Sequence, residues 1–103
     1  MSDLNSTICK LLRDTGCVEL PANYFSDEDI TDLELYFNDC FNDSGFNHEV
    51  VALPDCYFLY LGTKVGADRF MTMLQIKIVS MEGNLEAYKR ALYNVTKCMD
   101  YFQ

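Results

Sequence analysis

The sequence lacks any long apolar run. About 18 consecutive apolar residues are needed to span a bilayer, and no segment of the 103-residue chain approaches that length. The first five residues also lack the basic and apolar regions of a secretory signal. We therefore expect a cytoplasmic protein.

The sequence also lacks a C-x-x-C motif and a second histidine. The five cysteines are odd in number, and no two of them form a C-x-x-C motif. A disulfide scaffold usually has an even number of cysteines and a signal peptide, so reduced, buried thiols are expected. A zinc site would need clustered cysteine and histidine, whereas the nearest cysteines, Cys9 and Cys17, are eight residues apart. We therefore predict no metal and no cofactor.

The chain contains none of the common catalytic or phosphate-binding motifs. Walker A, G-x-G-x-x-G and G-x-S-x-G patterns are absent. Residues 39–45 resemble a calcium loop, but the glycine falls at position 7 instead of 6, and position 12 is not glutamate. The single histidine, His48, could meet a cysteine in space as a general base, yet no flanking motif supports this. We therefore predict that the protein is not an enzyme and has no catalytic residues.

Half of the residues are hydrophobic and 14% are aromatic, which is enough for one core. We predict a single domain over residues 1–103. The predicted fold class is α+β, with the order α-α-β-β-β-α and an antiparallel sheet packed against helices on one face. The predicted helices cover residues 3–15, 26–41 and 85–102, the segment 17–25 is a connector, and the predicted strands cover residues 49–53, 56–61 and 69–80.

Helix ends carry clear local signals. Ser26 and Asp29 have the spacing of a capping box with aspartate as its second member. Gly16 follows the first predicted helix, where a left-handed residue commonly ends a helix. Residues 42–45 are Asn-Asp-Ser-Gly, which are turn formers and predict the end of the second helix.

Residues 69–80 fit two patterns. Residues 74–78 alternate between apolar and polar as a half-buried strand does. The apolar residues from Ala67 to Ile78 also recur at helical spacing. The β-branched residues of this segment favour a strand, and a strand is our prediction.

The second strand of the predicted hairpin is apolar on both faces. Alternation places Tyr57, Leu59 and Leu61 on one face, with Phe58 and Tyr60 on the other. A central strand that is covered on both sides explains this pattern. The alternative is an open aromatic face that awaits a partner, including a second copy of the chain.

Acidic residues outnumber basic ones by sixteen to eight, so the net charge is −8. A sequence-independent nucleic-acid binder needs cations to displace counterions from phosphate, which disfavours this class. The imbalance is confined to one part of the chain, because residues 14–63 contain eleven acids and no lysine or arginine. Residues 64–103, in contrast, have a net charge of +2.

The acids of the second predicted helix form a pattern. At about 100° per residue, four of them fall in one stripe about 60° wide, opposite the apolar side of the helix. Acids four residues apart are separated by about 6 Å along the axis, which resembles the phosphate spacing of nucleic acid. We name these residues the acidic stripe: Glu28, Asp32, Asp39 and Asp43. Three neighbours are further candidates for partner binding: Asp27, Glu34 and Leu35.

A solvated helix face that keeps an acidic protein soluble is the simplest interpretation of the acidic stripe. Like charges four residues apart destabilise a helix slightly, however, and no base follows to offset them. A partner-binding surface explains why the absence of bases extends well beyond one helix.

The sequence therefore favours a small acidic interaction module. We expect it to inhibit a partner enzyme, such as a nuclease, by docking on its basic, nucleic-acid-binding surface, where carboxylates take the place of phosphates. Virus-encoded DNA mimics, anti-restriction and anti-CRISPR proteins and immunity proteins work this way, and the chain matches them in size and charge but in no motif. Neither nucleic acid nor a membrane is an expected partner. The alternatives are a homodimer formed by the aromatic- and Met-rich residues 57–81, and a small enzyme that uses His48 or a thiol of lowered pKa.

Overall fold

Four α-helices and three strands form the described part of the chain in a computed structural model, which covers residues 2–41 and 47–102, with side chains for 4–40 and 47–102. The predicted α+β class, with an antiparallel sheet packed against helices, is confirmed. In chain order the elements are α1 (Ser2–Thr15), β1 (Cys17–Pro21), α2 (Asp27–Phe41), β2 (His48–Ala52), β3 (Cys56–Leu61), α3 (Lys64–Ser80), α4 (Glu86–Cys98) and a short 3₁₀ helix (Met99–Tyr101).

β3 lies at the centre of the sheet, between β1 and β2, and pairs antiparallel with both. The predicted hairpin is confirmed, since β2 runs back along β3 with Ala52 opposite Tyr57. At its turn, the amide of Leu53 donates a hydrogen bond to the carbonyl oxygen of Cys56 at 2.8 Å. The apolar alternation of β3 is thus that of a central strand.

Helices cover both faces of the sheet, not one face as predicted. Leu59 of β3 packs in one cluster with Leu12 of α1 and Leu33 of α2. Phe58 packs on the opposite face with Phe70 of α3 and with side chains of α4. Because both faces of β3 are apolar, only helices on both sides remove them from water. The open aromatic face considered as an alternative is therefore wrong for β3.

The segment 17–25, predicted as a connector, contains strand β1. β1 precedes α2 in the chain and pairs along its whole length with β3. Cys17 and Leu20 are buried in the clusters on opposite faces of the sheet. Pro21 cannot donate a backbone hydrogen bond, and it is tolerated because it is the last residue of an edge strand. Pairing with a distant strand, and not a local pattern, decides the structure here.

Residues 69–80, predicted as a strand, belong to α3. Ala67 and Phe70 are buried on the side of this helix that packs against the sheet. The β-branched Ile76 and Val79 are 63% and 86% exposed. A β-branched residue lowers helix propensity only slightly, and burial of the opposite side outweighs that cost.

The predicted signals at helix ends are confirmed where the structure describes them. The amide of Ser26 donates to Asp29 Oδ2 at 2.9 Å, and the amide of Asp29 donates to Ser26 Oγ at 3.1 Å, which makes a reciprocal capping box. Gly16 follows α1 with a φ of +88°, a conformation that favours glycine. The predicted helix end at residues 42–45 lies outside the described residues.

Candidate functional site on the outer face of α2

α2 carries six acidic residues and no basic residue. Its inner side is buried, since Ile30, Leu33 and Phe37 are 5%, 1% and 0% exposed and pack with Leu59 of β3. Residues at this spacing share one side of a helix, so the opposite side faces solvent. The acidic stripe belongs to this outer side.

Three of the four stripe residues lie in the described part of the chain, and all three are exposed: Glu28, Asp32 and Asp39. No ion pair joins any of them to a described lysine, arginine or histidine. The helix axis rises about 16 Å from Glu28 to Asp39. The fourth stripe residue, Asp43, lies outside the described residues.

Leu35 adds an exposed apolar side chain beside the stripe. It is 59% exposed and lies between Asp32 and Asp39 along the helix. Tyr36, at the other edge of the stripe, is half-buried and packs against the core. An apolar side chain surrounded by carboxylates can act as an anchor in an interface, although a single exposed leucine is also common on protein surfaces.

Asp27 and Glu34, which flank the stripe, have internal partners on the sheet. Tyr57 of β3 donates a hydrogen bond to Asp27, and this bond raises the pKa of the tyrosine hydroxyl. Glu34 Oε1 lies 3.1 Å from Nε2 of His48 at the start of β2. The His48 ring also packs edge-on against Phe37, with centroids 5.4 Å apart. These two acids therefore hold α2 on the sheet, in contrast to the described stripe residues.

A cavity of about 280 Å³ adjoins the stripe near the start of α2, and we call it the α1–α2 cavity. Tyr24 and Phe25, in the loop before α2, line it together with Leu4 of α1. Tyr24 is 76% exposed and Leu4 is 48% exposed, so the walls are accessible. Asp32 of the stripe lines the same cavity. A stripe carboxylate therefore stands next to an open apolar pocket.

Two cations border the acidic face on the α1 side. Lys10 and Arg13 line a second cavity, of about 380 Å³, together with Tyr36 and Cys40 of α2. Both cations are exposed, and neither forms an ion pair with a described acid. They limit the acidic surface on one side.

Most of the other cations lie across the sheet, while Arg69 of α3 lines a cavity beside β1 together with Ile8 and Leu11 of α1. α3 and α4 contain six of the eight lysine and arginine residues of the chain. Both helices pack on the face of the sheet opposite to α2. A packed layer is about 10 Å thick, which exceeds the screening length of about 8 Å at physiological salt. The charge asymmetry along the sequence thus becomes an asymmetry between the two faces of the molecule.

Among the described residues, Lys77 of α3 forms ion pairs with two acids of the N-terminal half. Its Nζ lies 2.8 Å from Glu19 Oε2 on β1 and 3.1 Å from Asp55 Oδ2 in the hairpin turn. Tyr88 of α4 donates a hydrogen bond to Oδ1 of Asp55. Partial burial opposes ionisation of Asp55, but the bonds from Tyr88 and Lys77 outweigh it and lower the pKa of this carboxyl group. We call these four residues the Lys77 network.

Sequence reasoning missed the Lys77 network for two reasons. It assigned residues 69–80 to a strand, which gives Lys77 the wrong surroundings. The partners are also distant in the chain, since Lys77 and Glu19 are separated by 58 positions. No pattern among neighbouring residues predicts a contact over this distance in the chain.

Three of the five thiols have pKa values that oppose nucleophilic chemistry. Burial raises the pKa of Cys9 to about 11, and the pKa values of Cys17 and Cys56 to about 12. A nucleophilic thiol needs the opposite shift, because the thiolate is the reactive form. His48, the other residue considered for catalysis, bonds to Glu34. The enzyme alternative therefore draws no support from these residues.

The described residues include neither a metal site nor a membrane-spanning helix. The described residues contain no group of three or more histidine, cysteine, aspartate or glutamate side chains that could hold a metal ion. None of the helices among them has both the length and the apolar character that a membrane crossing requires. No protein-family model, curated protein or solved structure matches the chain.

Proposed function

We propose that the protein is a non-enzymatic interaction module that docks the outer face of α2 on a basic surface of another protein. The observation that carries this proposal is a set of exposed carboxylates, Glu28, Asp32 and Asp39, without counter-ions among the described residues. The hydrogen bonds of Asp27 with Tyr57 and of Glu34 with His48 hold α2, the helix that presents these carboxylates. Lysine and arginine side chains of a partner would supply the missing counter-ions.

The partner class that fits best is an enzyme that binds nucleic acid. Its binding surface is rich in cations because it must hold phosphates. Carboxylates four residues apart on α2 are separated by about 6 Å along the axis and can occupy positions made for phosphates. The protein then acts as a competitive inhibitor, in the manner of DNA-mimic, anti-restriction, anti-CRISPR or immunity proteins. Its place of action is the cytoplasm, and the host cytoplasm if a virus encodes it.

The net charge of −8 also affects the rate of association. Opposite charges on two proteins steer their encounter and raise the association rate. Salt screens this attraction over about 8 Å at physiological ionic strength. We therefore expect the affinity for the partner to fall steeply between low and high salt.

The experiment is an affinity capture from extracts of the native host, with mass spectrometry of the captured proteins. A captured protein counts as a partner only if it binds nucleic acid and is displaced by added duplex DNA. The chain with Asp32→Lys and Asp39→Lys should lose these proteins, because both changes place a cation against a basic surface.

The matched control reverses two exposed acids on the opposite face of the sheet, Asp68→Lys and Glu86→Lys. It changes the net charge by the same amount and should retain the captured proteins. Equal recovery with the α2 variant, or equal loss with both variants, contradicts the proposal.

A second candidate function is a structural or adaptor role as a homodimer. From the sequence, we expect this homodimer to form through exposed aromatic side chains of residues 57–81. Phe58 and Phe70 are instead buried within the monomer. The apolar surface that α3 leaves open is aliphatic. It consists of Val65, Ile76 and Val79, which are 73%, 63% and 86% exposed.

These three residues lie on one side of α3, because intervals of 11 and 14 residues return close to the same angle of a helix. Val65 and Val79 are each seven residues from Thr72. A two-fold axis at Thr72 would therefore place Val65 of one copy against Val79 of the other, which is a self-complementary contact.

Sedimentation measurements at low and high salt distinguish the two functions. An apolar dimer persists at high salt and dissociates with Ile76→Lys and Val79→Lys, whereas Tyr101→Lys, a change at another exposed apolar residue, leaves it intact. A monomer at every salt concentration contradicts the homodimer.

A further inference from the structure

We propose that the α1–α2 cavity is an anchor site for one arginine side chain of the partner. The inference rests on the proposed function, since it assumes a basic partner at the outer face of α2. It adds the type of side chain, the place where it binds, and a preference of arginine over lysine.

The walls of the cavity suit the apolar part of an arginine. Leu4 and Phe25 line it, and Tyr24 adds an aromatic ring that is 76% exposed. Arginine has an apolar stem, and its planar guanidinium group stacks on aromatic rings. An exposed tyrosine at the rim of a pocket can therefore receive this group without the rearrangement of a packed core.

The polar groups of the cavity suit the charge of a guanidinium group. Asp29 and Asp32 both line the cavity, and Asn5 adds an amide. Asp29 already accepts the amide of Ser26 through one carboxylate oxygen. Asp32 is exposed and has no counter-ion among the described residues, so both of its oxygens can accept a forked, two-point contact.

The charge of the cavity disfavours anionic occupants. Its volume of about 280 Å³ is at the lower end of the range of roughly 300–1,000 Å³ for cavities that hold a drug-sized molecule. Asp29 and Asp32 repel an anion. A lysine ammonium group is compact, strongly hydrated and unable to form the forked contact, so it uses the aromatic wall less well.

The test compares two peptide probes, hexa-arginine and hexa-lysine, which have the same number of charges. Their binding to the ¹⁵N-labelled full chain is followed by NMR at physiological ionic strength. We expect hexa-arginine to bind several-fold more tightly and to shift the amide signals of Leu4, Tyr24 and Phe25. Hexa-lysine should shift mainly the signals of the acidic stripe.

Two variants locate the preference. Tyr24→Ala should reduce the affinity for hexa-arginine by about three-fold, the size expected for one exposed cation–aromatic contact, and should leave hexa-lysine unchanged. Tyr101→Ala removes a tyrosine that is 84% exposed and lies outside the cavity, and it should preserve the preference. Because Tyr24 is exposed, both variants should fold, which the dispersion of the NMR signals checks.

The outcomes separate this inference from the proposed function. Equal affinities for the two peptides, an unchanged preference in Tyr24→Ala, or no binding of hexa-arginine overturns the arginine anchor. Binding of both peptides through the acidic stripe alone overturns the anchor and leaves the proposed function standing. The proposed function itself fails only in the affinity capture with the α2 variant.

Discussion

Lys77 Nζ lies 2.8 Å from Oε2 of Glu19, and this ion pair joins α3 to an edge strand 58 positions earlier in the chain. The same nitrogen lies 3.1 Å from Asp55 Oδ2 in the β2–β3 turn. Lys77 is 15% exposed, whereas Glu19 and Asp55 are 34% and 47% exposed, so removing its charge leaves two carboxylates that solvent reaches only in part. Its contribution to stability is therefore measurable in a single variant.

Lys77→Met should lower the free energy of unfolding by about 1 kcal/mol near neutral pH, because the ammonium group is largely buried but solvent reaches both carboxylates. The lowered pKa of Asp55 means that its contribution is present above the unfolded pKa, near 4, and is lost as the pH falls through the folded value. The difference in free energy of unfolding between the variant and the original chain should therefore become smaller at acidic pH. Urea denaturation over a series of pH values measures it.

Lys89→Met is the matched control, since Lys89 is exposed on α4 and has no ion pair among the described residues. It should change stability by less than about 0.5 kcal/mol. A Lys77→Met variant that unfolds at the same urea concentration as this control would show that the network contributes nothing.

Gly66→Ala should destabilise the fold by about 3 kcal/mol or more, although alanine is the better helix former. An added Cβ would overlap the carbonyl oxygen of Leu61 and lie 2.8 Å from its carbonyl carbon. These are backbone atoms of β3, which cannot move without disturbing the sheet. The hydrogen bond from the Gly66 amide to Thr63 Oγ1, at 3.0 Å, fixes the helix start at this close approach.

Gly83→Ala provides the comparison for this clash. Gly83 has a φ of +97°, and apart from its own residue and its two chain neighbours no described atom lies within 4 Å of an added Cβ. Only the strain of the left-handed backbone applies, which costs about 1–2 kcal/mol. If thermal denaturation shows equal losses for both variants, the contact between Gly66 and β3 is not as tight as described.

Stability should fall as the pH rises from about 9 to 12. Burial raises the folded-state pKa of Tyr60 to about 12, and the pKa values of Cys17 and Cys56 to about the same value. A raised pKa contributes stability that is complete below the unfolded value and is lost as the pH rises through the folded value. Each such group lowers the free energy of unfolding by up to about 1.4 kcal/mol per pH unit in this window.

Tyr60→Phe tests the origin of this alkaline loss. The ring of residue 60 stacks on Phe70 with centroids 4.6 Å apart, and phenylalanine preserves this packing. The variant should match the original chain at pH 7 and lose less stability between pH 10 and 12. Tyr101→Phe, at an 84% exposed position, should not change the alkaline slope. Identical slopes for all three chains would contradict the role of the buried hydroxyl.

Asp32→Lys combined with Asp39→Lys should leave the free energy of unfolding within about 0.5 kcal/mol or raise it slightly. The pair removes like-charge repulsion, including that between Glu28 and Asp32 four residues apart. Glu34→Ala should instead cost about 1 kcal/mol, because it removes the 3.1 Å contact with His48. Chemical denaturation of the purified chains measures both effects. A large loss in the double variant would show that the stripe has a structural role.

Local patterns in the sequence predicted the elements that depend on near neighbours. The capping box of Ser26 and Asp29 and the left-handed Gly16 involve groups within four positions of each other. The β2–β3 hairpin forms across a short turn. The alternation of β3 indicated a central strand covered on both sides, although the predicted architecture placed helices on only one face of the sheet. The exposed position of Glu28, Asp32 and Asp39 followed from the same helical period that buries Leu33.

Distant contacts decided what local patterns could not. β1 is a strand because β3 pairs with it across the sheet. Residues 69–80 are helical because the side of α3 that contains Phe70 and Leu74 is buried against the sheet, which outweighs the β-branched residues on its outer side. The roles of Asp27 and Glu34 depend on Tyr57 and His48. Both partners lie on strands, so the helical periodicity of α2 cannot predict these contacts.

By itself, the sequence determined the class of the fold, the apolar and acidic sides of α2, and the lopsided charge, because composition and periodicity require no knowledge of distant partners. The tertiary structure alone decided that most of the cations of α3 and α4 lie across the sheet from the acidic stripe. The physical reason is that β3 has two apolar faces. Each needs its own helical layer, and the chain places its acidic helix in one layer and most of its cations in the other.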